Sequence, residues 1–355
     1  MSVIYFTKLK SNKIINMKIS RITLLALASF ASVTNAQSEV EIEKSYPSPA
    51  NMLSSLIVSP YSFNSQHLNK MIFFRGGESM FSCDHSDKGK LVFADVEGGK
   101  VNTFSGYDLP SPKAAVEMEP DLYYTQVKDI MSKMKINNCI DVNLAPIIDF
   151  GYGNRSYFQN DKIYQKHIDA FVNANKDSGV KITYKHYPPN KFVELTDEEW
   201  KNFNEAKKKW AKNPENLSMG YSEVEYGKYI TGEFESESSE MLNHISKRFD
   251  SSDLIMLDNN LYVESGFTPY VASELPQKDH FLKSFPGLVI TDDLYQLNLD
   301  NIDVVNVFKN SDLFIITSLE DTKKFHKLMI HAMAYDRDLI VQLKKKYDRV
   351  QEKLN

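Results

Sequence analysis

The sequence predicts an α/β protein built as a (β/α)8 barrel, with an inserted helical segment after the fifth strand. Three observations carry this expectation. Eight short, apolar, β-rich runs recur along the chain, at 55–59, 71–75, 90–96, 141–148, 181–187, 253–260, 288–293 and 313–318. Most of the later runs alternate with stretches of helical periodicity, at 162–176, 239–249 and 319–331, and a helix at 336–353 ends the series. Ionisable residues then stand where the apolar runs stop. Near-continuous apolar strands alternating with helices indicate a parallel sheet covered on its outside, and eight such units fit one closed barrel. A doubly wound open sheet is the alternative. It requires a glycine-rich phosphate loop after an early strand, and Gly98-Gly99 lacks that spacing.

The first forty residues read as an export address. Lys18 and Arg21 make a basic start, 22–33 is an apolar run of secretory length, and Thr34-Asn35-Ala36 supplies small residues at the cleavage positions. Met17 is the better start, since it sets the charges directly ahead of the apolar run. The run is shorter than the roughly 20 residues that cross a bilayer. Residues 1–36 are therefore expected to be removed as a signal peptide. That leaves 37–355 as a single periplasmic or secreted domain, with no stable membrane anchor and an insertion at about 187–240.

Composition narrows the partners. With 42 Lys and Arg against 47 Asp and Glu the formal charge is -5, and a nucleic-acid partner would need a basic patch. Eight histidines show no ligand spacing, so neither a metal nor another cofactor is expected. Cys83 falls in a polar stretch and Cys139 opens an apolar one. The expectation is two thiols rather than a bridge.

Barrels of this kind carry their chemistry at the carboxyl ends of the strands, where the loops converge. Strand three exits at Asp95, strand four at Asp149 with Arg155 soon after, and strand five at Lys185-His186. Strand six exits at Asp258 and strand seven at Asp292-Asp293. Any one of these reads as a cap or a solvated loop residue. Five exits together point to one shared polar pocket.

At these residues the chain resembles glycoside hydrolase family 3, in particular its single-barrel β-N-acetylhexosaminidases. Asp95-Val96-Glu97-Gly98-Gly99-Lys100-Val101 is similar to the family's D-x-E-G-G-R-V. Asn143-Leu144-Ala145-Pro146 with Asp149 is similar to its L-A-P-x-x-D, and Gly153-Asn154-Arg155-Ser156-Tyr157 to its G-x-R-S-F. Lys185-His186-Tyr187-Pro188 resembles K-H-F-P, and Gly287 to Leu294 resembles G-x-V-I-[ST]-D-D-L. The five segments occur in the family's order. The resemblance implies that Asp292 is the nucleophile and that Asp95, Arg155, Lys185 and His186 hold a carbohydrate substrate. It agrees with a retaining glycosidase's need for one ionised carboxylate at the anomeric carbon. Asp293, the adjacent acid, is expected to have a structural partner instead.

Two departures bear on activity. The family continues K-H-F-P with a glycine-rich loop carrying an Asp–His acid/base pair. Here the loop runs Pro189-Asn190-Lys191-Phe192-Val193-Glu194-Leu195-Thr196-Asp197-Glu198, without the glycines or the histidine. An ungapped count puts Glu198 where that histidine would stand, and a carboxylic acid with a raised pKa can serve as acid/base. Thr196-Asp197-Glu198-Glu199 equally reads as a capping box opening a helix. The second departure is the length of 187–252, which suggests one or two helices over the barrel mouth. Two functions stay open: an exported hydrolase releasing β-linked N-acetylhexosamine from cell-wall or chitin-like glycans, and a catalytically impaired barrel that binds glycans or a partner. The exported protein should begin at Gln37 on N-terminal sequencing; residues 17–30 still attached would refute cleavage.

Overall fold

The computed structural model describes residues 45–60, 70–73, 90–150, 153–159, 162–187, 189, 192–193, 228–229, 235–258, 280–296, 299 and 302–354. The expected signal peptide, Cys83 and Glu198 lie outside the described residues. Two compact units divide the chain, Met1–Tyr46 and Pro47–Asn355, and the elements below belong to the second.

Eight parallel strands make the core sheet. They are β1 (Ile57–Pro60), β2 (Lys70–Phe73), β3 (Leu91–Ala94), β4 (Ile140–Asn143), β5 (Lys181–Tyr187), β6 (Leu254–Leu257), β7 (Leu288–Thr291) and β8 (Phe314–Ile315). Their spatial order is β7-β6-β5-β4-β3-β2-β1-β8, so neighbours in sequence are neighbours in space. The two strands ending that order also meet. Leu313 N–H donates to the Val289 carbonyl at 3.1 Å, and Thr291 N–H donates to the Leu313 carbonyl at 3.1 Å. Every residue of β6 and β7 is buried, as expected where a parallel sheet is covered on both faces.

Helices follow β3 through β8. They are α2 (Pro120–Asn138), α3 (Gln165–Asp177), α4 (Glu235–Ser246), α5 (His280–Ser284), α6 (Val304–Asn310), and the closing pair α7 (Leu319–Tyr335) and α8 (Arg337–Leu354); α1 (Pro49–Ser54) precedes β1. In α2, Pro120 takes the first turn, where no N–H is needed, and Tyr123, Val127, Ile130, Met131 and Met134 form its buried stripe. That stripe lies on α3, with Tyr123 stacked on Phe171 at 6.5 Å. Ser318 caps α7 by accepting the Asp321 N–H at 3.2 Å, and Asp303 caps α6 by accepting the Asn306 N–H at 3.0 Å.

Two expectations need correction. The helix expected at 162–176 begins at Gln165 instead, because Lys162–Ile163 pairs antiparallel with Phe158–Gln159. The Tyr164 N–H donates to the Tyr157 carbonyl at 3.1 Å and closes that hairpin. Within 187–240, Phe192–Val193 pairs antiparallel with Lys228–Tyr229 before α4 starts, and the residues between those two strands, where the added helices are expected, lie outside the described residues. Cys139 is disulfide-bonded rather than a thiol; the chain has two cysteines in all.

The glycine pair after β3 has a structural use. Val96–Gly98 and Val101–Asn102 form a hairpin in which Gly98 (φ 103) and Gly99 (φ 59) take left-handed conformations. Gly99 N–H donates to the Leu109 carbonyl at 2.7 Å. A methyl on Gly98 would overlap the Pro110 carbonyl oxygen. Gly98→Ala should therefore cost at least about 1–3 kcal/mol, seen as a lower urea midpoint; an unchanged midpoint would show that the hairpin does not need this glycine.

Candidate active site

The hairpin after β3 carries two carboxylates of different character. The Asp95 side chain is 24% exposed and Glu97 is 1% exposed. Asn143, at the end of β4, braces the residue between them: its amide donates to the Val96 carbonyl at 2.9 Å and accepts the Val96 N–H at 3.0 Å. A buried carboxylate must find cations, and two arrive. Arg155, in the turn Gly153–Arg155, grips Glu97 through Nε at 2.7 Å and Nη2 at 2.8 Å. Lys185, from β5, places Nζ 2.6 Å from Glu97 and 2.5 Å from Asp95.

Electrostatics keep this group ionised. Burial pushes the Glu97 carboxyl upward, but Lys185 and Arg155 outweigh it and bring its pKa down to about 2. Burial likewise opposes the Lys185 charge, and Asp95 and Glu97 more than offset it, so the ammonium is held above its ordinary value.

A second buried carboxylate holds the next residue of β5. Asp149 is 1% exposed, and its Oδ2 lies 2.5 Å from His186 Nδ1. The opposite ring nitrogen, Nε2, is 3.9 Å from Asp292 Oδ2 at the exit of β7. Lys185 and His186 are consecutive, yet both reach carboxylates at the strand exits. The pairing with β6 slips here: Met256 faces Lys185 and Leu257 faces Tyr187, so His186 is bulged out of the ladder. Bulges re-aim side chains in this way. The Lys185–His186 peptide bond is cis.

Asp292 and Asp293 differ although they are adjacent. Asp293 receives the Thr317 hydroxyl, the Thr317 N–H at 3.1 Å and the Tyr295 N–H at 3.0 Å. Asp292 Oδ1 accepts the Asp293 N–H at 2.7 Å, and its side chain keeps 23% of its surface open. Two layers result. Glu97 and Asp149 are sealed beneath, while Asp95, Arg155 and Asp292 remain about a quarter exposed above them.

The structure thus links Asp95, Arg155 and Lys185 through Glu97, and His186 to Asp292. Glu198 lies outside the described residues. Sequence reasoning left Glu97 and Asp149 without roles. Their signal was present, since an acid two residues past Asp95 and another at the exit of strand four have to be neutralised by something. Asp258, at the exit of β6, is also buried and acts electrostatically on His186. Among the described residues no group of three or more His, Cys, Asp or Glu side chains could hold a metal ion.

No protein-family model matches the chain. A β-hexosaminidase of Vibrio cholerae is 27% identical over 114 residues, 28% of this chain and 32% of that protein. One from Mannheimia succiniciproducens is 30% identical over 110 residues, again 28% and 32%. Over these segments the chain is similar to β-hexosaminidases. Its matches span about a third of those curated relatives' length. Solved structures share its fold over a greater length. A family 3 glycosyl hydrolase from Mycobacterium smegmatis superposes with a TM-score of 0.60 at 15% identity, covering 86% of this chain and 97% of that one. The β-N-acetylhexosaminidase of Beutenbergia cavernae gives 0.61 at 14%, covering 86% and 98%.

The site makes stability depend on pH with a definite sign. Glu97 titrates at about 2 against an ordinary 4.5, so its contribution is full above 4.5 and lost as pH falls toward 2. For His186, burial works against the charge, but Asp149, Asp258 and Asp292 raise its pKa from 6.5 to about 9. Its contribution is full below 6.5 and lost as pH rises through 9. Burial raises Asp293 from 3.8 to about 6, so its contribution also fades as pH climbs through that interval. The melting temperature should peak near about pH 4.5, where the Glu97 contribution is complete, and decline from there toward pH 9. Calorimetry showing a maximum above pH 8 would contradict this charge assignment.

Proposed function

We propose that this chain is an exported glycoside hydrolase that releases β-linked N-acetylhexosamine, chiefly N-acetylglucosamine, from cell-wall or chitin-like glycans with retention of configuration. The observation that carries the proposal is the open Asp292 carboxylate, 3.9 Å from His186 Nε2, beside the Asp95–Lys185–Glu97–Arg155 cluster. In this reading the chain is a full (β/α)8 barrel with an inserted helical segment after β5. The bonds joining β7 to β8, and the helices that follow β3 through β8, support it. Similarity to β-hexosaminidases supports the substrate class. The disulfide at Cys139 supports export, because such bonds persist in oxidising compartments.

Asp95, Arg155, Lys185 and His186 bind the hydroxyls of the terminal sugar. Asp292 attacks the anomeric carbon as the glycosidic bond breaks, and the leaving oxygen takes a proton from the acid/base. Water, deprotonated by that same group, then releases the sugar from Asp292. Glu198 is the candidate acid/base in the loop that lacks the histidine.

An activated substrate tests the scheme. A dinitrophenyl leaving group departs without a proton, so dinitrophenyl β-N-acetylglucosaminide should turn over even where natural oligosaccharides react slowly. A covalent sugar should be found on Asp292, and azide should speed its release. Asp292→Asn should reduce turnover to background. Glu198→Gln should slow natural substrates far more than the activated one. Glycan binding with no adduct on Asp292, even from the activated substrate, would instead show a binding protein.

A further inference from the structure

Asp149 has no contact with the sugar in the scheme above, and its geometry gives it a separate task. Resting on the reading of Asp292 as the attacking carboxylate, we propose that Asp149 is a positioning residue that holds His186 as a doubly protonated ring with Nε2–H turned toward Asp292.

The contacts on Asp149 constrain the ring closely. Its Oδ2 lies 2.5 Å from Nδ1 and also accepts the His186 backbone N–H at 3.3 Å. One buried oxygen therefore ties down both the main chain and the ring of the same residue. Asp149 is itself anchored: the Ser156 hydroxyl donates to its carbonyl at 2.6 Å and accepts the Phe158 N–H at 3.0 Å. The anchor is thus continuous with the turn that carries Arg155.

These contacts determine which nitrogen bears a proton. A carboxylate only accepts, so Nδ1 must donate to Asp149. Nε2 is then the ring's other face, 3.9 Å from Asp292 Oδ2. That is too long for a hydrogen bond, but an oxygen placed off the axis can sit about 2.8 Å from both atoms. A sugar hydroxyl there accepts from Nε2–H and donates to Asp292.

A neutral ring would turn a lone pair toward Asp292 instead. The charged groups facing His186 among the described residues favour the protonated form. Asp149 comes from the segment that follows β4, Asp258 from the end of β6 and Asp292 from that of β7, all acting on the ring. Lys185, beside it on β5, is already engaged by Asp95 and Glu97. Burial resists the charge, and the three carboxylates raise the pKa to about 9 all the same. The Nε2–H donor is accordingly present at neutral pH and lost as pH passes 9, which gives activity an alkaline limb.

Nitrogen-15 NMR of the histidine rings reads this directly, with the His186 signal assigned by its absence in His186→Gln. In the unsubstituted protein at pH 7 both ring nitrogens of His186 should be protonated, and the ring should titrate near 9. Asp149→Asn keeps the size and an acceptor but removes the charge. It should lower the titration midpoint by a unit or more and move the alkaline limb of kcat/KM on the aryl N-acetylglucosaminide by the same amount. A His186 ring that is singly protonated at pH 7, or whose midpoint is unchanged in Asp149→Asn, overturns the proposal. The measurement on the unsubstituted protein decides the first point even if the variant fails to fold. A doubly protonated ring in a protein without glycosidase activity would refute the functional reading while supporting the role of Asp149.

Discussion

Glu97 carries a negative charge into a place almost closed to water, and that charge persists only because Arg155 and Lys185 come with it. Such groups tolerate little change: removing one partner of a buried pair typically costs about 3–5 kcal/mol, because the other charge is left uncompensated. The hairpin after β3, the turn after β4 and the strand β5 are therefore tied to one oxygen pair. Any movement of one element would strand a charge on another. That constraint registers the strand exits against each other, and the exposed carboxylates inherit their places from it.

Asp149 repeats the arrangement one residue along β5, with His186 in place of Lys185. Together the two buried acids account for the alternation of charge across the site: sealed carboxylate, cation, open carboxylate. Lys185 stands between Glu97 and Asp95, and His186 stands between Asp149 and Asp292. The pattern also separates the adjacent acids Asp292 and Asp293. Thr317 and two backbone N–H groups occupy Asp293, and Asp292 is left facing the opening.

The sequence similarity and the fold similarity differ in extent, and the difference is informative. Detectable identity covers 28% of the chain, while the shared fold covers 86%. A sheet of buried strands accepts many apolar side chains of suitable volume, so its sequence drifts while its architecture persists.

The sequence by itself determined the eight strands, their approximate places and the charged residues at their carboxyl ends. Apolar runs of strand length bounded by polar residues are a local property, and so is the arrest of each run at Asp95, Asp149, Lys185, Asp258 or Asp292. It also marked the hairpin at Gly98-Gly99 as something other than a phosphate loop. What only the tertiary structure decided is who meets whom. Nothing local in Glu97 points to Arg155, 58 residues away, and nothing local in Asp149 points to His186, 37 residues on. The disulfide at Cys139 and the extended pair within 187–240 belong to the same category. Local periodicity reports whether a segment is helix or strand, but partners across the sheet are chosen by the burial of charge, and burial exists only once the chain has closed around it.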